Sequence, residues 1–597
     1  MGLLLMRKGQ FAKAEPYFRQ AIATLTERNP NPYDGEPLYN LGWSLKMQGR
    51  YEEAYEQFFK ACWNAAWQDA GYFNIAQIDL MQQHPETALE NIERSLIRNW
   101  HNHKARALKA AILRKLNHTT EALAWIEDSL AIDAFNMGCR YEKYLLTQQE
   151  TDLDELKTLM RNWNHGYIEY SLDYAEAGMW EEATSFLQLH EQEGGDIYPM
   201  VYYALGYYTR QSGQTEKAKA YYSKASQANP AYCFPNRIEE VVILESALAA
   251  NPADAKASYY LGNFWYGARQ YEEAVKCWET SVQHDDSFPT VWRNLALAYY
   301  NKLGQTERAL QVMEKAFALD QEDARVFMEL DQLYKKLGVS HTQRLEKLKR
   351  HMSLTEKRDD VYLEYITLNN MLGNHLEAQQ DLAQRKFHPW EGGEGKVPGQ
   401  YLLAQTELAK SAIKAGKYQE AIDLLAATTE YPHNLGEGKL PGAQENDIDY
   451  YRGIAYQALG NQEKSEFYFR KASEGLSEPA PAIYYNDQQP DKIFYQGLAW
   501  EALGNPENAR KRFNKLISYG EKHLFDQVKI DYFAVSLPDL LIWEDDLQKR
   551  NTIHCYYLMA LGYLGLKKYD EAKTYFDKVL KMDINHQGAH IHRKMCE

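Results

Sequence analysis

The chain has few cysteines, and they stand in no disulfide or metal-binding pattern. Its 597 residues include six, namely Cys62, Cys139, Cys233, Cys277, Cys555 and Cys596. No two of them have the C-x-x-C spacing that is typical of zinc sites and redox motifs. Such a low density fits a reducing compartment, so we expect all of them to be free thiols.

Long apolar runs and basic runs are missing as well. The start, MGLLLMRKGQF, has an apolar run of only five residues, whereas a secretory signal needs about 7–15. No run approaches the roughly 18 apolar residues of a membrane span. The net charge is −16 without a dense Lys/Arg run, which argues against nucleic acid as a partner. We expect a soluble, cytoplasmic protein, although its sequence opens within a repeat and a preceding segment stays possible.

What the chain does contain is a repeat. Small residues recur every 34 positions in two series, Gly42, Ala76 and Ala110, and Ala54, Ala88 and Ala122. The segment LYNLGWSLKMQGRYEEAYEQFFKA (38–61) has the apolar spacing of two helices joined by a tight turn. Small residues at 42 and 54 let these two helices approach closely, and Gly49 suits the end of the first.

This pattern resembles the tetratricopeptide repeat, whose period is also 34 residues, over nearly the whole chain. The resemblance implies an all-α fold, a solenoid of helical hairpins wound into a right-handed superhelix with a concave groove. Family members usually bind peptides or hold assemblies together. The period fails at 231–250, where Phe234-Pro235 breaks the chain, and long inserts start near 387. We therefore predict three arrays, at 1–230, 231–386 and 387–597.

Two of the inserts share a nearly identical sequence. GEGKVPG (393–399) and GEGKLPG (436–442) differ at one position. A phosphate-binding loop needs Gly-x4-Gly-Lys-Ser/Thr after a strand. Trp390 and His433 stand where its first glycine is required, and Val397 and Leu440 replace the hydroxyl residue. We therefore expect no nucleotide and no other cofactor, and interpret both inserts as shaped loops, because glycine permits positive φ and proline stiffens the chain.

These inserts supply the candidate binding residues. Inserts at successive junctions of a solenoid lie side by side and often form its binding face. The polar, charged and aromatic residues that we expect to converge on a ligand or partner are His388, Trp390, Glu391, Glu394, Lys396, His433, Asn434, Glu437, Lys439, Asn446, Asp447, Tyr484, Asn486, Asp487 and Asp531.

Three interpretations of these residues remain open. They could brace neighbouring hairpins, with Asn446-Asp447 at the N-cap of the next helix. They could bind a partner or ligand, since an aromatic ring beside carboxylates and amides suits a sugar as well as a peptide. Catalysis is the third, but no Gly-x-Ser-x-Gly elbow or cysteine motif supports it, so we name no catalytic residue. His586 and His590 have the i,i+4 spacing of a zinc pair, yet a terminal helix explains them better, and we predict no metal.

A narrower resemblance rests on the inserts. FHPWEGGEGKVPGQY, YPHNLGEGKLPGAQENDI and KIDYFAVSLPDLLIWEDDL (529–547) look like the C-terminal half of a family of large bacterial proteins. The N-terminal half of that family is a domain of unknown function with a carbohydrate-associated, β-sandwich look, and this sequence lacks it. The resemblance implies a bacterial origin and a carbohydrate context. We predict a non-catalytic scaffold that binds a protein, or that missing half, through its concave face and insert loops; the alternative is a sugar-binding or glycoside-processing role for the loops at 387–554.

Overall fold

The computed structural model describes residues 1–390, 392–481, 487–528 and 541–597. These residues form helices, turns and irregular loops, with no strand among them. The chain divides into two compact units, unit 1 (Met1–Val291) and unit 2 (Trp292–Glu597). The predicted all-α solenoid of helical hairpins is confirmed. The array boundaries at 230 and 386 stay a prediction.

Unit 1 consists of hairpins that follow one another along the chain. Its helices are α1 (Gly2–Arg7), α2 (Phe11–Thr26), α3 (Glu36–Lys46), α4 (Tyr51–Ala61), α5 (Gln68–Met81), α6 (Pro85–Arg98), α7 (His103–Lys115), α8 (Thr119–Ile132), α9 (Met137–Thr147), α10 (Glu150–Met160), α11 (Asn164–Ala175), α12 (Trp180–Glu193), α13 (Pro199–Gln211), α14 (Thr215–Gln227), α15 (Ile238–Ala250), α16 (Ala255–Gly267) and α17 (Tyr271–His284).

Unit 2 continues the same architecture, and the boundary between the units falls in the first turn of its first helix. Its helices are α18 (Pro289–Asn301), α19 (Thr306–Leu319), α20 (Ala324–Lys336), α21 (His341–Arg350), α22 (Met352–Thr355), α23 (Asp359–Met371), α24 (His375–Gln384), α25 (Lys396–Lys414), α26 (Tyr418–Ala426), α27 (Asn446–Ala458), α28 (Gln462–Ser473), α29 (Pro490–Ala502), α30 (Pro506–His523), α31 (Leu547–Gly565), α32 (Tyr569–Met582) and α33 (Gln587–Arg593).

In several hairpins a glycine of the first helix faces an aromatic ring of the second. A Cβ atom added to Gly42 would lie 2.9 Å from the ring of Phe58, and one added to Gly497 would lie 2.3 Å from that of Phe513. Both rings are buried. The close approach inferred from the small residues is therefore confirmed, and the many aromatic residues of the chain supply much of the core.

Unit 1 departs from the regular repeat in two places. The chain begins with the short helix α1, and the segment GQFAKAEPYFRQAI lies at the start of α2, the second helix of that hairpin. After α14 the residues at 228–237 form an irregular turn, and α15 follows as a single helix between α13 and α16. Phe234-Pro235 lies in that turn, where proline cannot continue a helix.

Polar side chains meet across the inner face of unit 1. The Lys46 ammonium donates to the Gln77 carbonyl oxygen at 2.6 Å, and the Gln77 amide donates to Glu176 at 3.2 Å. Burial lowers the pKa of Lys46, against the opposing effect of Glu176. Nearby, burial raises the pKa of Asp173 to about 6 although Lys104 lies 2.7 Å away. These contacts join α3 and α5 to α11, so side chains fill part of the inner face.

The C-terminal part of unit 2 returns to the beginning of that unit. The indole N–H of Trp543 donates to the backbone oxygen of Glu329 at 2.8 Å, and its ring packs against Tyr300. The Asn585 amide donates to the backbone oxygen of Lys335 at 3.1 Å. Segments about 200 residues apart in sequence are thereby brought together, and the residues before α31 and α33 contact α18 and α20.

Candidate functional site

The two seven-residue sequences adopt different structures. In the first loop (385–395, between α24 and α25), Gly395 has a φ of 72° and the helix α25 starts at Lys396. The second loop (427–445, between α26 and α27) contains all of GEGKLPG, and its one helical turn before α27 is the short 3₁₀ helix His433–Leu435. The same letters therefore begin a helix in one place and form an irregular loop in the other, where residues 443–445 separate them from α27.

A carboxylate of the second loop occupies the place at the start of α25 where an anion would otherwise bind. The backbone N–H of Gly395 donates to a carboxylate oxygen of Glu437 at 2.8 Å. A helix N-terminus favours negative charge, and here a side chain of the neighbouring loop provides it. Burial raises the pKa of Glu437, as does Glu394, while the bond from Gly395 lowers it. The two loops are thus joined to each other by a charge-assisted hydrogen bond.

Asn434 makes the second connection between the loops. Its side-chain amide donates to the backbone oxygens of Leu382 at 2.7 Å and Arg385 at 2.8 Å. Its own backbone oxygen accepts from the N–H of Phe387 at 2.8 Å. One residue of the second loop therefore holds the end of α24 and the start of the first loop in place.

Two glycines allow this close contact. Gly436 has a φ of 80°, and a Cβ added there would lie 2.7 Å from the backbone oxygen of Phe387, so both conformation and space exclude a side chain. A Cβ on Gly393 would lie 2.3 Å from the ring of Trp390. Trp390 is half-buried and lies against its own loop, which makes part of its surface unavailable for stacking on a sugar.

The remaining polar residues of the second loop are also engaged within it or with the next junction. Lys439 forms an ion pair with Glu445 at 2.6 Å. The side chain of Asn446 does not cap its own helix; its amide donates to the backbone oxygens of Ala472 at 2.8 Å and Glu474 at 2.9 Å. Asn446 thus fixes the end of α28 to the start of α27.

A second group of the predicted residues is exposed. The imidazole of His388 is 74% exposed and 3.1 Å from Asp359, which also accepts from the backbone N–H of His388. Glu394 in the first loop, Lys396 at the start of α25 and His433 in the second loop are exposed as well. The loop pair therefore combines a firmly bonded interior with a polar surface of mixed charge.

Asp447, in the first turn of α27, has a partner that the sequence did not single out. Its carboxylate is 2.5 Å from the ammonium of Lys492, which is also 3.6 Å from Asp491. Burial lowers the pKa of Lys492, but these two carboxylates outweigh it and raise that pKa above its usual value. Asp447 and Lys492 keep 19% and 17% of their side-chain surface exposed. Two adjacent first helices, α27 and α29, position this ion pair.

Some of the predicted residues do not join the loop pair. Asp487 lies before α29, where its backbone oxygen accepts from the Gln489 amide. Glu391, Tyr484, Asn486 and Asp531 lie outside the described residues.

Within the part of the chain that the structure describes, no group of three His, Cys, Asp or Glu side chains is placed to hold a metal ion. His586 instead caps α33, because its Nδ1 accepts from the N–H of Ala589 at 3.0 Å. His590 lies 2.7 Å from the backbone oxygen of Ile584. Among the same described residues, no helix has the length and apolar character to cross a membrane.

Models of the tetratricopeptide repeat match segments of both units. The matched residues are 1–62, 201–232, 243–277, 266–324, 493–519 and 553–586. These segments are similar to the tetratricopeptide repeat. Among the unmatched ranges are 63–200 and 325–492, and the latter contains both loops of the candidate site.

Solved structures similar to the chain include three kinds of protein. MamA of Desulfovibrio magneticus RS-1 is 23% identical over 33% of this chain and 97% of its own, with a TM-score of 0.20. The tetratricopeptide domain of P58(IPK) is 11% identical over 88% of this chain and 97% of its own, with a TM-score of 0.21. The Cut9–Hcn1 hetero-tetramer of APC/C is 14% identical over 81% of this chain and 93% of its own, with a TM-score of 0.24. Because these TM-scores are low, the three similarities say nothing about this chain beyond the hairpin architecture described above.

We expect Asn434→Ala to destabilise unit 2 by about 1–3 kcal/mol, because the backbone oxygens of Leu382 and Arg385 lose their partner. Urea unfolding gives the magnitude, and hydrogen exchange across 382–387 shows where the protection is lost. His433→Ala, one residue away and exposed, is the control and should change stability by less than about 0.5 kcal/mol. Equal effects of the two substitutions would show that Asn434 does not brace the loops.

Proposed function

We propose that this chain is a non-catalytic scaffold that binds a protein partner through the loop pair and the adjoining inner face of unit 2. The observation that carries the proposal is the bracing of the loops by Glu437 and Asn434 beneath an exposed polar surface. A surface fixed before binding loses little conformational entropy when a partner arrives. Loops that only connected helices would need neither the matched glycines nor these long-range bonds.

The inner face of unit 2 offers a second group of polar side chains to the same partner. Asp447 and Lys492 are paired yet partly exposed, so they can contribute to binding without leaving a buried charge unpaired. In unit 1 the inner face carries contacts between α3, α5 and α11 instead. We therefore place the partner on unit 2. Its surface offers both signs of charge through Glu394 and Lys396, which suits a polar protein surface.

A comparison of loop variants tests this function. The purified chain is used to retain partners from an extract of its source cells, in parallel with the His388→Ala/Glu394→Ala variant. We expect one stoichiometric partner, with retention lowered about tenfold or more in the variant, equivalent to about 1.4 kcal/mol. The matched control is Glu216→Ala/Lys219→Ala, which removes an exposed ion pair of unit 1 and should retain the partner fully.

Two outcomes would contradict the proposal. Identical retention by the loop variant and the wild-type chain would place the partner elsewhere. Saturable binding of mono- or oligosaccharides, seen as a rise in the thermal midpoint that the loop variant loses, would instead assign the loops to a sugar. Both variants change exposed side chains, so circular dichroism should show that they fold like the wild-type chain.

A further inference from the structure

The last helix of unit 2, α33, and the turn before it contact parts of the unit that are distant in sequence. The Asn585 amide donates to the backbone oxygen of Lys335, in the last turn of α20. The ring of His592 lies 5.6 Å from that of Phe494 on α29. We call residues 583–596 the C-terminal segment. It joins helices from the beginning and from the end of unit 2.

The conformation of this segment depends on its contacts. The Gln587 amide donates to the side-chain oxygen of Gln400 on α25 at 3.2 Å. Ala589 and Cys596 are buried in the apolar cluster that also holds Phe576 of α32. The helix α33 has only seven residues, and isolated helices shorter than about 12 residues are marginal in water. Once its contacts are lost, the segment therefore has little helical stability of its own.

His586 supports this helix only while its ring is neutral. It is the N-cap residue of α33, and its Nδ1 accepts the backbone N–H of Ala589 at 3.0 Å. A protonated imidazole carries a hydrogen on Nδ1 and cannot accept this bond. Burial lowers the pKa of His586 to about 4, although Asp583 opposes this shift. The titratable groups around the ring are Asp583 in the preceding turn, His554 and Tyr557 on α31, and His592 on α33 itself.

His592 is also fitted to its place in the neutral form. Its side chain is buried, and Nδ1 lies 2.7 Å from the backbone oxygen of Gly588 and 3.1 Å from the hydroxyl of Tyr557. Because a carbonyl oxygen can only accept, Nδ1 carries the hydrogen. Nε2 then holds a lone pair and has no hydrogen-bond partner among the described residues. Protonation would put a second N–H there, buried and without an acceptor.

Charged groups around His592 do not reverse this preference. Burial lowers the pKa of His592, and Lys410 acts in the same direction, while Asp491 and Glu407 oppose the shift. Both histidines thus have a pKa below the ordinary value of about 6.5 while the segment is docked. The released segment binds protons more readily, so docking weakens as the pH falls from about 6.5 towards 4. The groups facing His592 are Glu407 and Lys410 on α25, Asp491 and Tyr495 on α29, Tyr557 on α31, and His586.

A second pair of histidines lies at the same contact. The rings of His341 on α21 and His590 on α33 are 5.7 Å apart. Nε2 of His590 is 2.7 Å from the backbone oxygen of Ile584, and an N–H at that position satisfies the oxygen in either charge state. Burial lowers the pKa of His341, as do His590 and Arg344, against Glu364. Positive charge on His341 therefore acts against docking as well.

We propose that the C-terminal segment is an acid-sensitive latch, which is docked while His586 and His592 are neutral and leaves α20, α25 and α29 when they are protonated. The geometry requires the neutral ring at both positions, since one nitrogen accepts a bond and the other is buried without a partner. Release uncovers the surface of α29 around Phe494. The loop pair takes no part in the latch, so the proposal stands whether or not those loops bind a protein.

Thiol labelling measures the release, because the chain carries a cysteine in each place that matters. Cys596 lies in the C-terminal segment and is 7% exposed, Cys555 is buried on α31, and Cys277 of unit 1 is partly exposed. The full chain is treated with dithiodipyridine at pH values from 7.5 down to 5, and peptide mass spectrometry follows each thiol. Cys277 is the internal standard, because the thiolate fractions of both cysteines fall in the same proportion over this range.

We expect the labelling of Cys596 relative to Cys277 to rise about thirtyfold or more between pH 7.5 and pH 5. The difference between 6.5 and about 4 at His586 alone gives that factor. Cys555 should stay protected, since α31 keeps its contacts with α29 and α30.

Two variants assign the effect to the histidines. His586→Asn keeps an N-cap that cannot titrate, so it should lower the rise about tenfold or more. Adding His592→Phe, which leaves no ring nitrogen among the neighbouring aromatic side chains, should remove most of the remainder. His433→Asn is the matched control, because His433 is exposed in the second loop, and it should show the full rise.

The proposal fails if Cys596 and Cys277 keep a constant ratio at every pH, since the segment then stays docked. It also fails if Cys555 is labelled as fast as Cys596, because unit 2 then unfolds as a whole. A full rise in the double variant would remove His586 and His592 from the mechanism. If the double variant does not protect Cys596 at pH 7.5, His586→Asn decides alone, and a full rise in that variant overturns the latch.

Discussion

Replacing Trp543 by alanine is expected to destabilise unit 2 by about 3–5 kcal/mol, within the range for removing a buried aromatic side chain. The indole is only 1% exposed, and its N–H donates to the backbone oxygen of Glu329. Its removal leaves a cavity beside Tyr300 and an acceptor without its donor. The neighbouring backbone is held as well, because the Asn301 side chain bonds both Ile542 and Glu544.

Hydrogen exchange is the measurement that separates this effect from a change elsewhere. Protection should fall in α18 and α20, the helices that Trp543 and its neighbours contact, while the helices of unit 1 keep theirs. Phe525→Ala is the control, since Phe525 is a large aromatic residue with 86% exposure before the same segment. If Trp543→Ala were as mild as Phe525→Ala, the return of the chain to α18 and α20 would contribute little to the stability of unit 2.

The hairpins could be predicted from the sequence because the information for them is local. The spacing of Gly42, Ala54 and Phe58 fixes which faces of two consecutive helices meet, and this recurs along the chain. The segment at 140–190 forms regular helices as well. A hairpin needs only its own residues and its neighbours to bury its apolar face, so a periodic pattern is enough to specify it.

Contacts between distant segments could not be predicted in the same way. The sequence singled out 529–547 as distinctive, but nothing in it indicates that Trp543 bonds a residue 214 positions away. Such contacts depend on the curvature of the array, which accumulates from small angles between hairpins. Charged residues make up 25% of the chain. The sequence therefore allows very many ion pairs and does not single out the pairing of Asp447 with Lys492.

The candidate site, too, could be predicted from the sequence only in its local features. The matched loops and the roles of their glycines could be read from GEGKVPG and GEGKLPG, whereas the bond from Gly395 to Glu437 could not.

The second large effect is expected for Arg344→Met, which should also cost unit 2 about 3–5 kcal/mol near neutral pH, the usual penalty for removing one partner of a buried ion pair. The Arg344 guanidinium donates to both carboxylate oxygens of Asp331, at 3.1 and 2.7 Å, and to Glu364 at 2.7 Å. Arg344 and Asp331 are both buried. Burial raises the pKa of Asp331 and Arg344 opposes that rise, so the variant leaves a carboxylate that is costly to ionise.

The pH dependence follows from that carboxylate. Without Arg344 the pKa of Asp331 in the folded chain rises further above its unfolded value, so the folded state holds the proton more tightly. The penalty of Arg344→Met should therefore be largest above the raised pKa of Asp331 and shrink as the pH falls through it, because the protonated acid needs no counter-charge. Urea unfolding of the variant and of the wild-type chain between pH 4 and pH 8 measures this difference directly.

Two further variants make the result decisive. Arg344→Met/Asp331→Asn removes both charges and should recover much of the loss, which a double-mutant cycle expresses as a coupling energy. Arg470→Ala removes an exposed ion pair with Glu466 and should cost no more than about 1 kcal/mol. A loss that stayed constant with pH, or that the second substitution failed to reduce, would mean that Arg344 stabilises unit 2 through packing and its contact with Asn585 instead of through the buried charge of Asp331.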